Sequence, residues 1–93
     1  MDTTMDINIG QVVMSKAGRD KGKIFLILDI IDAQYVSVID GDLRKLDNPK
    51  RKKIKHLSVS STILSELNEK IENNEKIDDA YIRKLLEPYK KSF

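Results

Sequence analysis

Ninety-three residues suffice for one small domain, or for a minimal domain with an appendage, and so for only a small core. Lysine and arginine number 17 against 15 aspartates and glutamates, for a net charge of +2, and the absence of cysteine excludes a disulfide framework and a thiolate metal site. No apolar run approaches the roughly 18 residues of a membrane span, and the polar, acidic Met1–Asp6 does not have the form of a signal peptide, which together suggest a cytoplasmic protein.

In chain order, Met1–Asp6 reads as a frayed tail and Ile9–Ser15 as a first strand. Its apolar parity changes across Gly10, which suits a bulge or bend. Lys16–Gly22 is a loop. Ile24–Ile31 is rich in β-branched residues, starts just after a glycine and is apolar on both faces, as expected of a central strand covered on both sides. Asp32-Ala33 is a turn, Gln34–Asp40 alternates as a third strand, and Asp40-Gly41 is a hairpin signal because glycine accepts positive φ. Leu43–Leu46 is a candidate short fourth strand, Asp47-Asn48-Pro49 a turn, and Lys52–Leu57 a strongly basic fifth strand.

Beyond Ser58 the composition shifts. Ser60 or Ser61 can cap a helix whose apolar stripe is Ile63, Leu64, Leu67 and Ile71, ended by Asn73-Asn74. Asp78 or Asp79 can cap another, with the stripe Tyr81, Ile82, Leu85 and Leu86 and with Pro88 closing it. The plan is mainly β with C-terminal α: about five short strands over 7–57, which fit a small curled barrel of the SH3 kind, then a two-helix hairpin within 58–93. Such short helices are unstable alone and must dock. Either their stripes pack internally or they form a protein-docking or dimer surface.

The charge is unevenly placed. Residues 1–57 hold 11 lysines and arginines against 8 acids, whereas residues 58–93 hold 6 against 7. Two clusters stand out. In the loop, Lys16, Arg19, Lys21 and Lys23 surround Gly18 and Gly22, whose lack of a Cβ leaves backbone N–H groups open; a nest ringed by cations suits a phosphate. Asp20 in the same loop suits an Asx-type role fixing the turn. In the second cluster Arg44, Lys45, Lys50, Arg51, Lys52, Lys53 and Lys55 stand against Asp47 alone. Such asymmetry is the footprint of a nucleic-acid face. The plainer alternatives are a merely soluble hairpin for the first and an edge strand blunted by lysines for the second.

Chemistry of other kinds finds no residues to carry it. There is no nucleophile–base pair, no phosphate-binding Gly-Lys-Ser/Thr motif and no dinucleotide fingerprint, and the lone His56 cannot make a metal site. Asp32, Asp40 and Asp42 fit turns, and Asp29 inside a strand needs a partner. The sequence therefore reads as non-catalytic and without a cofactor. Phe25 and Tyr35, the aromatics of the β region, suit core packing and are too few for a stacking platform, which favours recognition by shape and phosphate over base sequence.

The run Gly10-Gln-Val-Val-Met-Ser-Lys-Ala-Gly18-Arg-Asp-Lys-Gly22-Lys23, with the hydrophobic strand after it, resembles the KOW motif of ribosomal and transcription-elongation proteins. With Asp40-Gly-Asp-Leu-Arg-Lys and then Lys-Arg-Lys-Lys-Ile-Lys-His-Leu57, it is similar to the eukaryotic and archaeal large-subunit ribosomal KOW proteins and to small bacterial KOW-domain RNA-binding proteins. The resemblance covers roughly Ile9–Leu57. It implies an SH3-like barrel that binds structured RNA, ribosomal RNA or the large ribosomal subunit foremost, through the two cationic clusters with Gly18 and Gly22. The alternative from another class is an adaptor in transcription or translation that holds a protein partner on its C-terminal helices.

Overall fold

A computed structural model describes residues 7–90; Met1–Asp6, read above as a tail and not a signal peptide, lies outside the described residues. Five antiparallel strands are followed by two helices. The strands are β1 (Gln11–Ser15), β2 (Ile24–Ile30), β3 (Tyr35–Ile39), β4 (Lys50–Lys53) and β5 (Leu57–Ile63). They form one open sheet in the order β4-β3-β2-β1-β5, so β4 and β5 are its edges. A 3-10 turn, Ile54–His56, carries the chain from one edge to the other.

The first three strands lie where the alternation of side chains places them, within a residue or two at each end. The register pairs Val13 with Phe25 and Ile27 with Val38 on one face, and Val12 with Leu26 and Leu26 with Ile39 on the other. Each set builds its own core. The first face buries Ile7, Val13, Phe25, Ile27, Val36, Val38, Ile54 and Leu57, with Val59 packed against them. Residues from β5, and Ile54 just beyond β4, share this cluster although those strands lie at opposite edges, so the sheet is strongly curled. The second face buries Val12, Ile24, Leu26 and Ile39 beneath the helices. The central strand β2 is thus covered on both sides over Ile24–Ile27, as its continuous apolar run predicts.

Three expected elements differ. Leu43–Leu46 is no strand. It belongs to a connection in which Asp40 Oδ1 accepts the N–H groups of Asp42 and Arg44 at 2.9 and 2.8 Å. The basic strand starts two residues earlier than expected and stops at Lys53, because the 3-10 turn breaks the run before Leu57. Ser58–Ser61 is strand, so neither Ser60 nor Ser61 caps a helix: Ser60 Oγ donates to Val12 O at 2.7 Å, and the buried Gln11 side chain donates to Ser60 O at 2.7 Å. The fifth strand therefore crosses the 57/58 boundary drawn from composition.

The first helix, α1 (Ser65–Glu72), has no side-chain cap; the second, α2 (Asp79–Leu86), is capped by Asp78, which accepts the Tyr81 N–H at 2.8 Å. Leu67, Ile82 and Leu86 are fully buried against the sheet. Each such side chain contributes about 1.5–3 kcal/mol of burial, which gives two eight-residue helices the stability they lack alone. Tyr81 Oη also donates to Glu66 at 2.7 Å, joining α2 to α1.

The connection before β4 is tied to α2 at Gly41. Its φ is 78°, its carbonyl accepts Arg83 Nη1 at 2.7 Å, and a Cβ there would collide with the Asp79 carbonyl. Gly22 has a similar φ of 89° but nothing within 4 Å of its Cβ position. Alanine at either site meets the left-handed backbone penalty, about 1–3 kcal/mol. Only Gly41→Ala must also push α2 away. Denaturant titration should show Gly41→Ala to be clearly the more destabilising of the two; equal losses would mean that the contact with α2 contributes nothing.

Candidate nucleic-acid interface

The glycine-bearing loop joins β1 to β2, and much of its backbone is used internally. The N–H groups of Lys21, Gly22 and Lys23 donate to Gly18 O, Ser15 O and Asp20 O at 3.3, 2.8 and 2.9 Å. These groups are not open to a ligand, so the expected nest does not extend to Gly22, although its flank is open space. Gly18 is exposed, and its φ of 85° sets the turn.

Asp20 fixes the loop by a means other than the expected Asx turn. Its carboxylate is buried, and Oδ1 accepts Ser15 Oγ at 2.7 Å and Lys52 Nζ at 2.8 Å. Lys50 Nζ stands 3.3 Å from Oδ2, which accepts no well-aligned hydrogen bond. Lys52 Nζ also donates to Ala17 O at 3.0 Å. Burial alone would raise the Asp20 pKa; the hydrogen bonds from Lys52 and Ser15 and the adjacent Lys50 ammonium outweigh it and hold the carboxyl far below the usual carboxylate range. A buried ion pair thus clamps the loop to β4.

The same register divides the basic strand. Lys52 lies opposite Val36 and Lys50 opposite Val38, on the inner face; Arg51 lies opposite Ser37 and Lys53 opposite Tyr35, on the outer face. Lys52 is only 6% exposed, so it belongs to the clamp and not to the surface proposed for it from the sequence. Arg51 and Lys53 gather on Tyr35 instead, with Arg51 Cζ 4.8 Å and Lys53 Nζ 5.8 Å from the ring centroid.

The structure joins parts of both clusters in one place. A groove of about 440 Å³ is lined by Arg19 and Lys23 from the loop, Arg44 from the connection after β3, Lys50 from β4, and Asp20, Phe25 and Leu43. Four cations thus face one carboxylate that is already paired. Leu43 on its rim is 62% exposed. The remaining residues of the expected surface lie elsewhere. Lys16 lines a separate groove along β5 with Ser58 and Ser60; Lys21 and Lys45 are exposed outside the cationic groove; Lys55 is exposed beside Gln34 and Lys53.

The acids have local roles. Asp32 Oδ1 accepts the N–H groups of Gln34 and Tyr35, the expected turn, while Asp29 is exposed and accepts the Ile30 N–H at 2.9 Å. His56 is exposed. Among the described residues no group of three or more His, Cys, Asp or Glu side chains could hold a metal ion, and no helix is long and apolar enough to cross a membrane. No family model matches the chain.

Proposed function

We propose that this chain is a non-catalytic, cytoplasmic RNA-binding protein that associates with structured RNA, ribosomal RNA of the large subunit foremost, and that its β region is an SH3-like barrel of the KOW type. The observation that carries the reading is the groove in which Arg19, Lys23, Arg44 and Lys50 converge from three separate segments. Cations on a surface preformed by a buried clamp can meet phosphates with little ordering cost, and phosphate contacts position a folded RNA without reading its sequence. The barrel reading draws support from the single core shared by opposite edges of the curled sheet, and the KOW reading from the position of the two-glycine loop between the first two strands.

An adaptor role for the helices has less to draw on, because Leu67, Ile82 and Leu86 are spent on the chain's own sheet. Sedimentation of the tagged protein through a gradient of cell lysate tests the proposal. Co-migration with the large ribosomal subunit, lost with RNase and at high salt, is expected. Migration at the top of the gradient under every condition would overturn stable ribosome association.

A further inference from the structure

The outer face of β3 and β4 carries an aromatic site that the groove does not use. Tyr35 is half-buried yet belongs to neither apolar cluster, so it is not the core residue its sequence context suggests. The helices cover Ile39 on this face, and Tyr35 is not among the residues packed with them. Two cations flank the ring, Arg51 Cζ at 4.8 Å and Lys53 Nζ at 5.8 Å. The ring is set by the preceding turn, where Asp32 accepts the Tyr35 N–H at 2.9 Å.

Beside it lies a small open cavity of about 180 Å³ lined by Ala33, Gln34, Lys53, Ile54 and Lys55. Lys53 belongs to both features. The cavity is below the roughly 300–1,000 Å³ of small-molecule sites and suits one planar group. Its chemistry is mixed: an exposed carboxamide at Gln34, the flank of Ile54, and two ammonium groups. The carboxylates of Asp32 and Asp29 lie on the neighbouring turn and strand, and each already accepts backbone N–H groups.

We propose, resting on the RNA-binding reading above, that Tyr35, Arg51 and Lys53 with this cavity hold one unpaired nucleotide of the bound RNA. Its base stacks on the Tyr35–Arg51 pair, and its phosphate meets Lys53 and Lys55. Unpaired bases stack on aromatic rings and guanidinium planes, and a flanking ammonium supplies the charge complement for the backbone. A fully paired helix offers no such base. The site therefore adds preference for a loop or bulge to the shape and phosphate recognition of the groove.

Two fluorescein-labelled RNAs test this, a hairpin with an unpaired loop and a fully paired duplex of equal length, titrated with wild type, Tyr35→Leu and Tyr35→Phe. Leucine keeps apolar bulk without the ring, and thermal melting checks that the variant is folded. Tyr35→Leu should weaken hairpin binding about fivefold or more and leave duplex binding unchanged, while Tyr35→Phe binds both like wild type. Equal losses on both RNAs, or no loss on either, would overturn the stacking site and leave the groove reading standing. Failure of the wild type to bind either RNA would overturn both.

Discussion

Replacing Lys52 by methionine should be among the most destabilising single changes at the surface-facing strands, costing about 3–5 kcal/mol. The apolar substitute leaves the Asp20 carboxylate buried with one hydrogen bond, from Ser15 Oγ, and with Lys50 3.3 Å from Oδ2 but poorly aligned to it. Asp20→Asn combined with Lys52→Met removes both charges and should recover much of the loss, because a neutral buried pair no longer strands an ion. The clamp also predicts the acid response. The folded-state pKa of Asp20 lies below its unfolded value of about 3.9, so its stabilisation is complete above about pH 4 and drains away as the pH falls further. Urea titrations at pH 7 and pH 3 should show the gap between wild type and Asp20→Asn narrowing at the lower pH. An unchanged gap would mean that the carboxylate is not held by the lysines.

Reversing three groove cations that lie outside the clamp should weaken RNA binding steeply without unfolding the protein. In the triple variant Arg19→Glu, Lys23→Glu and Arg44→Glu, all three side chains line the groove and none joins the Asp20 clamp. Each lost phosphate contact lowers the slope of log affinity against log salt by about 0.7–0.9, so three should remove about 2–3 units. The paired change Lys76→Glu and Lys84→Glu, at exposed positions beyond the sheet, serves as the control and should leave the slope as it was. Equal effects from the two variants would reduce the groove to nonspecific attraction. Binding by competing RNAs at each salt concentration would measure this directly.

Much of the sheet is legible in the residues, and the misreadings have identifiable physical origins. Alternation marks β1 and β3, and the unbroken apolar run marks the doubly covered β2. The strand β5 hides behind serines: Ser60 or Ser61 reads as a helix cap, although Val59, Thr62 and Ile63 are β-branched and the strand is tied to Val12 O and Gln11. The cations of the candidate site are equally plain in composition, but their division is not. It follows from the pairing of β4 with β3, which sends Lys50 and Lys52 inward and Arg51 and Lys53 outward. Alternation within Lys50–Lys53 hints at two faces, yet which face holds a carboxylate depends on Asp20, 32 residues away in the sequence. The same pairing places Tyr35 among cations instead of in the core. Local pattern thus finds the charged residues, and long-range register decides which of them are structural.

The most direct measurement of the central claim is an NMR titration of the isotopically labelled chain with a structured large-subunit ribosomal RNA fragment at low salt. The account predicts chemical-shift changes concentrated at Arg19, Lys23, Arg44 and Lys50 and on the neighbouring loop backbone, reversed by added salt. Shifts confined to α1 and α2, or none at RNA concentrations that saturate other RNA-binding domains, would contradict it.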